Sequence, residues 1–574
     1  MPGPLTRRRL VSGTVAGAAL TALAPPRLAA GEPTPDVSLY LGPALEPELV
    51  TVTDTAFAAW WWTAEPADTT VRLTPLEGPD AGRTRTLRLE ERTQVHVARV
   101  GDLTPGRRYG YELWSGGRRV SLGSSAADPG TFRTLQPPPG RRLATIALLN
   151  DLHVGERCSG TVTDALGPSL PPCYSADTYP DYAHRMLDAA IGELHDLPID
   201  LVVANGDLSH GGGEEDVRRA LAQLRRLQRP LLVTRGNHDK RQAAGTCAVD
   251  GDCLREQAFP EQPAGSSTLL SVERVGDRVA VVGLDSWDAR TRQPSLLHGD
   301  QPAWLDRQLA VLRGEGRDVV VAFHHPLLVA GQGVAADQGA DAVLAVLARH
   351  PHVRLVVHGH THANALQFHG PTGRRVPFLQ NGATKEYPAG YALLHVHEDG
   401  IVRTFHRPVT AWTRTWTATS ARQVWGLHPS ITRGSIETRA FVHRYAGQPI
   451  ASAAVPAARA EASPPAVSAV RSTTTGRLAR GLAVGIHVPR RARVTVRLRA
   501  ELPRADGRRR TVVLARATRR SAPGTIELTL RPGRGARRAL ARLPRATSAT
   551  IEVVLAPPGG RAVTLRRRIL LRPR

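Results

Sequence analysis

Five short clusters of polar residues could do chemistry in this chain. They are Asp151-Leu152-His153, Gly206-Asp207, Gly236-Asn237-His238-Asp239, His324-His325-Pro326 and Gly359-His360-Thr361-His362, each following a short apolar run. Carboxylates and an amide offer hard oxygens, and imidazoles offer borderline nitrogens. That mixture suits divalent or trivalent Mn, Fe, Zn or Co. Seven of these residues, Asp151, His153, Asp207, Asn237, His324, His360 and His362, exceed what one ion needs. They would serve two ions about 3.5–4 Å apart that share one carboxylate, an arrangement that hydrolyses phosphate esters. His238 is not needed as a ligand. It stands beside Asn237, placed to assist a leaving alkoxide, with Asp239 placed to orient its ring.

The apolar runs that deliver these clusters are Ala144 to Leu149, Leu201 to Ala204, Leu231 to Val233, Val319 to Phe323 and Leu355 to Val357. A further run, Val279 to Leu284, ends in Asp285-Ser286 without an obvious ligand. Between the runs, apolar residues recur at helical spacing, as in Met186, Leu187, Ala190, Ile191 and Leu194 or Val217, Leu221, Leu224 and Leu227. Strands alternating with amphipathic helices predict an α/β domain. In such sheets ligands gather at the carboxyl ends of the strands, which is where every cluster stands.

The motifs and their order resemble those of the calcineurin-like metallophosphoesterase superfamily, over roughly Leu143 to Pro408. The likeness is greatest to the branch that hydrolyses cyclic nucleotides and glycerophosphodiesters. It implies a four-layer α/β/β/α sandwich with two mixed sheets. It also implies one metal on Asp151, His153, Asp207 and His362 and a second on Asp207, Asn237, His324 and His360, with Asp207 bridging. The activity implied is hydrolysis of phosphodiesters or phosphomonoesters by a metal-bridging hydroxide, with His238 assisting the leaving group. Purple acid phosphatases place a metal-binding tyrosine where this chain has His210, and that difference, with His153 in the first motif, argues against the subclass. The fibronectin-like N-terminal module resembles those enzymes, so a purple-acid-type phosphatase or nucleotidase is the alternative enzyme. A cell-envelope-binding protein with a structural metal centre is the alternative from another class.

The rest of the chain frames this segment. Its 574 residues suggest about four domains. Residues 1–30, with Arg7-Arg8-Arg9 before an Ala/Gly-rich apolar run and small residues near Ala29-Ala30, resemble a twin-arginine export signal. Secretion or retention at the cell wall follows as an expectation. No later stretch is apolar enough to cross a bilayer, so the mature chain is expected to be soluble. Residues 37–135 read as strands, and Leu103-Thr104-Pro105 through Tyr109 resembles the tyrosine corner of a fibronectin type III sandwich. Trp60, Trp61 and Trp62 read as core and rim of that module. Residues 141–410 form the catalytic segment, 411–476 an extension and an Ala/Pro/Ser linker, and 477–574 an arginine-rich β domain. The net charge of +24 is carried almost wholly by arginine, lysine occurring only at 240 and 385. A basic surface favours anionic partners, and docking of the arginine-rich C-terminal domain to an anionic cell-envelope polymer is the expectation here. The four cysteines predict the local disulfides Cys158–Cys173 and Cys247–Cys253.

Overall fold

A computed structural model of the chain describes residues 47–572 apart from 122, 124, 160–173, 176–178, 241–246, 248–250, 328–332, 371–374, 422–428, 446–450, 453–465, 469–471, 489–490, 504–508, 522–523, 542–546 and 559–561. The expected export signal lies outside the described residues. So does Cys173, the partner expected for Cys158, which is itself disulfide-bonded. Cys247–Cys253 forms as expected.

The N-terminal strands are β1 (Glu48–Val52), β2 (Phe57–Pro75), β3 (Arg85–Val100), β4 (Arg108–Ser115), β5 (Arg118–Arg119) and β6 (Thr131–Arg133). Their hydrogen bonds link them into one antiparallel sheet that folds over on itself, so that the Phe57 ring packs 5.7 Å from Tyr111 and 4.6 Å from Phe132 across a shared core. The cause is β2, whose nineteen residues pair with β1 at Phe57–Trp60 and with β4 at Thr70–Pro75, across an irregularity after Trp62. The Tyr109 hydroxyl accepts the Thr104 N–H at 2.9 Å, closing the corner read from the sequence. Trp61 packs into the core of this sheet and donates its indole N–H to Ser115 Oγ at 2.9 Å. Trp60 points to the opposite face and is equally buried, packed with Val50, Ala58 and Ala418. Alternation along a strand hides both because both faces are covered.

The catalytic segment holds two mixed sheets. Its strands are β7 (Arg142–Leu149), β8 (Leu201–Asn205), β9 (Leu231–Thr234), β10 (Ser271–Val275), β11 (Val279–Gly283), β12 (Asp318–Ala322), β13 (Val353–His358), β14 (Ala365–His369), β15 (Val376–Gln380), β16 (Tyr391–His397), β17 (Gly400–His406), β18 (Ala440–Arg444) and β19 (Ala451–Ser452). One sheet runs β9-β8-β7-β16-β17-β18-β19 and the other β10-β11-β12-β13-β15-β14. Within them β7, β8 and β9 are parallel, as are β11, β12, β13 and β15.

Period-two alternation sorts the side chains between layers. Ala147 and Leu149 of β7 pack with Leu187 and Ile191 of α1 (Tyr182–His195) and Leu221 of α2 (Glu214–Arg225). Ile146 and Leu148 face the other way, onto Val281, Val320 and Leu355 of the second sheet. That sheet's outer face, with Val319 and Val321, meets Leu305 and Leu309 of α3 (Gln301–Gly314) and Val343 of α4 (Ala340–Arg349). Helices, sheet, sheet and helices therefore follow in four layers, as expected.

Residues 411–476, read as an extension of the catalytic domain and a linker, carry regular structure where they are described. Helix α5 (Ala411–Ala421) covers the N-terminal sheet through Ala418, β18 and β19 extend the first catalytic sheet, and Ala466–Ser468 and Ser472–Thr474 enter the C-terminal sheets. Short strands in an Ala/Ser-rich text carry no periodic signal of their own, and their neighbours create them. The C-terminal part has a three-stranded and a five-stranded sheet around one core of Val484, Ile486, Val494, Val496, Ile551 and Val553. Among the described residues no helix is long and apolar enough to cross a membrane.

Candidate metal centre

The loops that leave β7, β8 and β13 bend sharply inward. Asp151 (φ 52°), His153 (46°), Asp207 (51°), His360 (75°) and His362 (53°) all occupy the left-handed region. Asp, Asn and His enter that region more readily than other non-glycine residues, and five such positions in one cleft, costing of order 1–3 kcal/mol each, mark a functional site. Glycine permits the close approach beside them. A Cβ on Gly236 would overlap the Asp207 carboxylate, and one on Gly206 would overlap the His324 ring.

At the centre, Asp207 Oδ2 lies 3.4 Å from His153 Nε2 and 3.2 Å from His324 Nε2. One oxygen thus stands between two imidazoles from different sheets. His362 Nε2 is 3.2 Å from His153 Nε2 and 3.5 Å from Asp151 Oδ1, and His324 Nε2 is 3.9 Å from the same Asp151 oxygen. Asp151, His153 and His362 make one compact donor group, and Asp151, Asp207 and His324 make another. All five residues are buried.

The polarity of these contacts calls for cations. His324 Nδ1 lies 3.0 Å from the Asn205 carbonyl, so its proton is donated there and the Nε2 lone pair faces the Asp207 carboxylate. Two acceptors at 3.2 Å need a positive charge between them, and a proton or a metal ion can supply it. Burial opposes a protonated His324, yet Asp207 and Asp151 outweigh it and lift the ring to about 9, and a metal ion would take that proton's place. Burial pushes His360 down to about 3. Asp151 Oδ2 and Asn237 Oδ1 are buried with no hydrogen-bond partner among the described residues, as atoms reserved for a metal would be. The donor set fits two borderline ions.

The other expected residues fall at the edge of this core. His360 groups with His324 and His325, and its backbone N–H donates to Asp151 Oδ1 at 3.0 Å. His238 anchors the Asp207 carboxylate by its backbone N–H, 2.7 Å from Oδ1, and its ring meets His153 edge-on at 4.4 Å. The expected pairing of Asp239 with the His238 ring is corrected. Asp239 is buried and accepts the backbone N–H groups of Leu208, Ser209 and Gly236, at 3.1, 2.9 and 3.2 Å, together with the Ser209 hydroxyl. It knits two loops together, and the partner of His238 Nδ1 is the His210 carbonyl at 2.8 Å.

Residues 144–364 match the family model described as calcineurin-like phosphoesterase. A probable cyclic nucleotide phosphodiesterase of Synechococcus is 28% identical over 225 residues, 38% of this chain and 79% of that protein. The 3',5'-cyclic adenosine monophosphate phosphodiesterase CpdA of Pseudomonas aeruginosa is 28% identical over 239 residues, 39% of this chain and 80% of that protein. This chain is a metal-dependent phosphoester hydrolase. Among solved structures, a dimetal phosphatase from Danio rerio aligns at a TM-score of 0.36 and 15% identity, over 47% of this chain and 98% of that one.

The hydrolase also holds a buried bracket that motif reading missed. Glu386 Oε1 is 2.8 Å from His362 Nδ1, and its other oxygen takes the Ser159 hydroxyl and sits 3.1 Å from Lys385 Nζ. Lys385 also pairs with Glu156, whose Oε1 lies 3.7 Å from His210 Nδ1. Burial works against both charges, yet each sustains the other: Lys385 is raised and Glu386 is held far below the carboxylate range. The available signal was Lys385 itself, one of two lysines in a chain that otherwise uses arginine. Residues behind a metal-ligating histidine set its tautomer and orientation and typically contribute 10–100-fold in metal affinity. Glu386→Ala is therefore expected to weaken metal binding by about that factor, measured by calorimetric titration of metal-stripped protein. Unchanged affinity would remove Glu386 from the site.

Proposed function

We propose that this hydrolase is exported through a twin-arginine signal and cleaves phosphodiester or phosphomonoester bonds outside the cytoplasm. In this reading Asp151, His153, Asp207 and His362 hold one metal, and Asp207, Asn237, His324 and His360 hold the other. The observation that carries it is the position of Asp207 Oδ2 between His153 and His324. When bound, two such ions would neutralise phosphoryl oxygens and make an attacking water acidic enough to act near neutral pH. The protein's own part is orientation. Asn205 and Glu386 fix the two histidines that they hold, and His238, with Nδ1 anchored on His210, presents Nε2 as the atom that can pass a proton to the leaving oxygen. The similarity to phosphodiesterases favours diesters. The arginine-dense C-terminal domain is the part suited to hold an anionic envelope polymer, and residues 37–135 supply a fibronectin-like support.

The experiment is turnover of a panel of alkyl and aryl mono- and diesters after loading with Mn, Fe, Zn or Co. Diesters are expected to turn over fastest. His238→Ala should lower turnover of an alkyl diester about a hundredfold, and less for a nitrophenyl ester, whose leaving group needs little proton assistance. No metal-dependent hydrolysis of any ester would end the proposal. A charge-transfer band of iron–tyrosinate type would move it to the purple-acid class.

A further inference from the structure

The charge of this chain is concentrated in one place. Residues 477–574 contain 26 arginines and four carboxylates, a net +22 out of +24 for the whole chain. The register of the five-stranded C-terminal sheet shows where that charge goes. In the strand Ala492–Pro503, Val494, Val496 and Leu498 point into the core, so Arg493 and Arg497 point out. Arg520 stands directly opposite Arg493, and Arg516 directly opposite Arg497, on the strand Arg509–Ser521. On the other side Arg497 faces Glu552, which in turn faces Arg566. Glu552 binds Arg497 at 3.2 Å, Arg499 at 3.1 Å and Arg566 at 3.4 Å. Six guanidinium groups thus share one face with one carboxylate among these cross-strand partners.

Such a face is costly without a partner. Like charges directly opposite across a sheet destabilise it, and two such pairs stand on one face, separated only by the Thr495–Thr518 pair. A chain selected only for stability would not place them there. Arginine forks match phosphate oxygens two at a time, which lysine cannot do, and this domain contains no lysine. From residue 446 to the end there is no Phe, Tyr or Trp either. Binders of single-stranded nucleic acid stack bases on aromatic rings, each worth about 1–3 kcal/mol, and no such platform exists here.

We propose that this outward face, built on Arg493, Arg497, Arg499, Arg516, Arg520 and Arg566, docks a linear polymer of phosphodiesters that carries no bases. The docking rests on the reading of the C-terminal domain as the part that holds an anionic polymer and names that polymer's chemistry and the face that binds it; it does not depend on the hydrolytic activity. It would hold the chain on a surface rich in such polymer.

The test uses the full chain and a variant with Arg493→Gln, Arg497→Gln, Arg516→Gln and Arg520→Gln. Binding to poly(glycerol phosphate), to single-stranded DNA of equal phosphate count and to phosphatidylglycerol vesicles is measured between 50 and 300 mM salt. The polymer should bind the natural chain with a steep salt dependence, and the variant should lose about a hundredfold at the lowest salt with a shallower slope. DNA should bind no more tightly than the polymer. Turnover of a small phosphate ester should be unchanged and the melting temperature equal or higher, since repulsion is relieved. The proposal is overturned if the polymer does not bind at low salt or if the variant binds as well as the natural chain. Binding of DNA tenfold more tightly, or of vesicles alone, also overturns it in favour of a nucleic-acid or membrane face.

Discussion

Asp207→Asn is expected to reduce metal-dependent turnover at least about a thousandfold, because in the proposed assignment the substitution removes the one charge that both metal positions would share. The exchange preserves size and hydrogen-bonding shape, so the fold should survive it. What changes is electrostatic. Asp207 Oδ2 stands 3.4 Å from His153 and 3.2 Å from His324, and Oδ1 is held by the His238 backbone N–H at 2.7 Å. An amide keeps the backbone contact and loses the negative charge between the imidazoles. Metal analysis of the purified variant should give fewer than two ions per chain, alongside the loss of nitrophenyl ester hydrolysis. Wild-type turnover with two ions bound would remove Asp207 from the bridging role and the two-metal reading with it.

How much of this was legible beforehand depended on whether a feature is local in the chain. The strand ends were legible because an apolar run followed by a ligand is a local pattern, and Ala144 to Leu149 reads as a strand with or without its neighbours. The groups that hold ligands in place were not. Glu386 reaches His362 across 24 positions and Asn205 reaches His324 across 119, and nothing near either residue announces the contact. Asp239 misled for the same reason: adjacency to His238 suggested a pair, while the left-handed turn at Asp207 (φ 51°) brings other N–H groups to its carboxylate. Asp285, which looked idle at its strand end, binds Arg235 Nε at 3.2 Å while Asp252 takes Nη2 at 2.8 Å. That buried arginine fixes the loop that carries Asn237 and His238.

The N-terminal sheet reaches the metal centre by a similar route, and Glu48→Ala is the substitution that should expose it. Glu48 is buried in β1, with Oε1 at 3.0 Å from Arg407 and 2.7 Å from Arg439, and Oε2 accepting the Tyr387 hydroxyl at 3.0 Å. Tyr387 follows Glu386, and the preceding Lys385 carbonyl accepts the Trp416 indole N–H at 2.7 Å. The loop that orients His362 is therefore clamped from outside the catalytic sheets. Burial alone would raise Glu48, but Arg407, Arg439 and Arg433 outweigh it and hold the carboxyl at about 2, against an ordinary 4.5. A folded value below the unfolded one means stability that is fully present above 4.5 and is lost as pH falls toward 2. That gap is worth about 3 kcal/mol. Removing one partner of a buried ion pair costs about 3–5 kcal/mol, because the other charges stay buried. Glu48→Ala should thus unfold at markedly lower denaturant than the natural chain at pH 7, with the difference narrowing as the pH is taken from 5 to 3. Metal affinity should fall in the same variant, since Tyr387 no longer holds the loop that carries Glu386. A stability gap that is constant with pH would rule out the Glu48 carboxylate as its source, and full metal affinity would show that the loop keeps its shape without the N-terminal sheet.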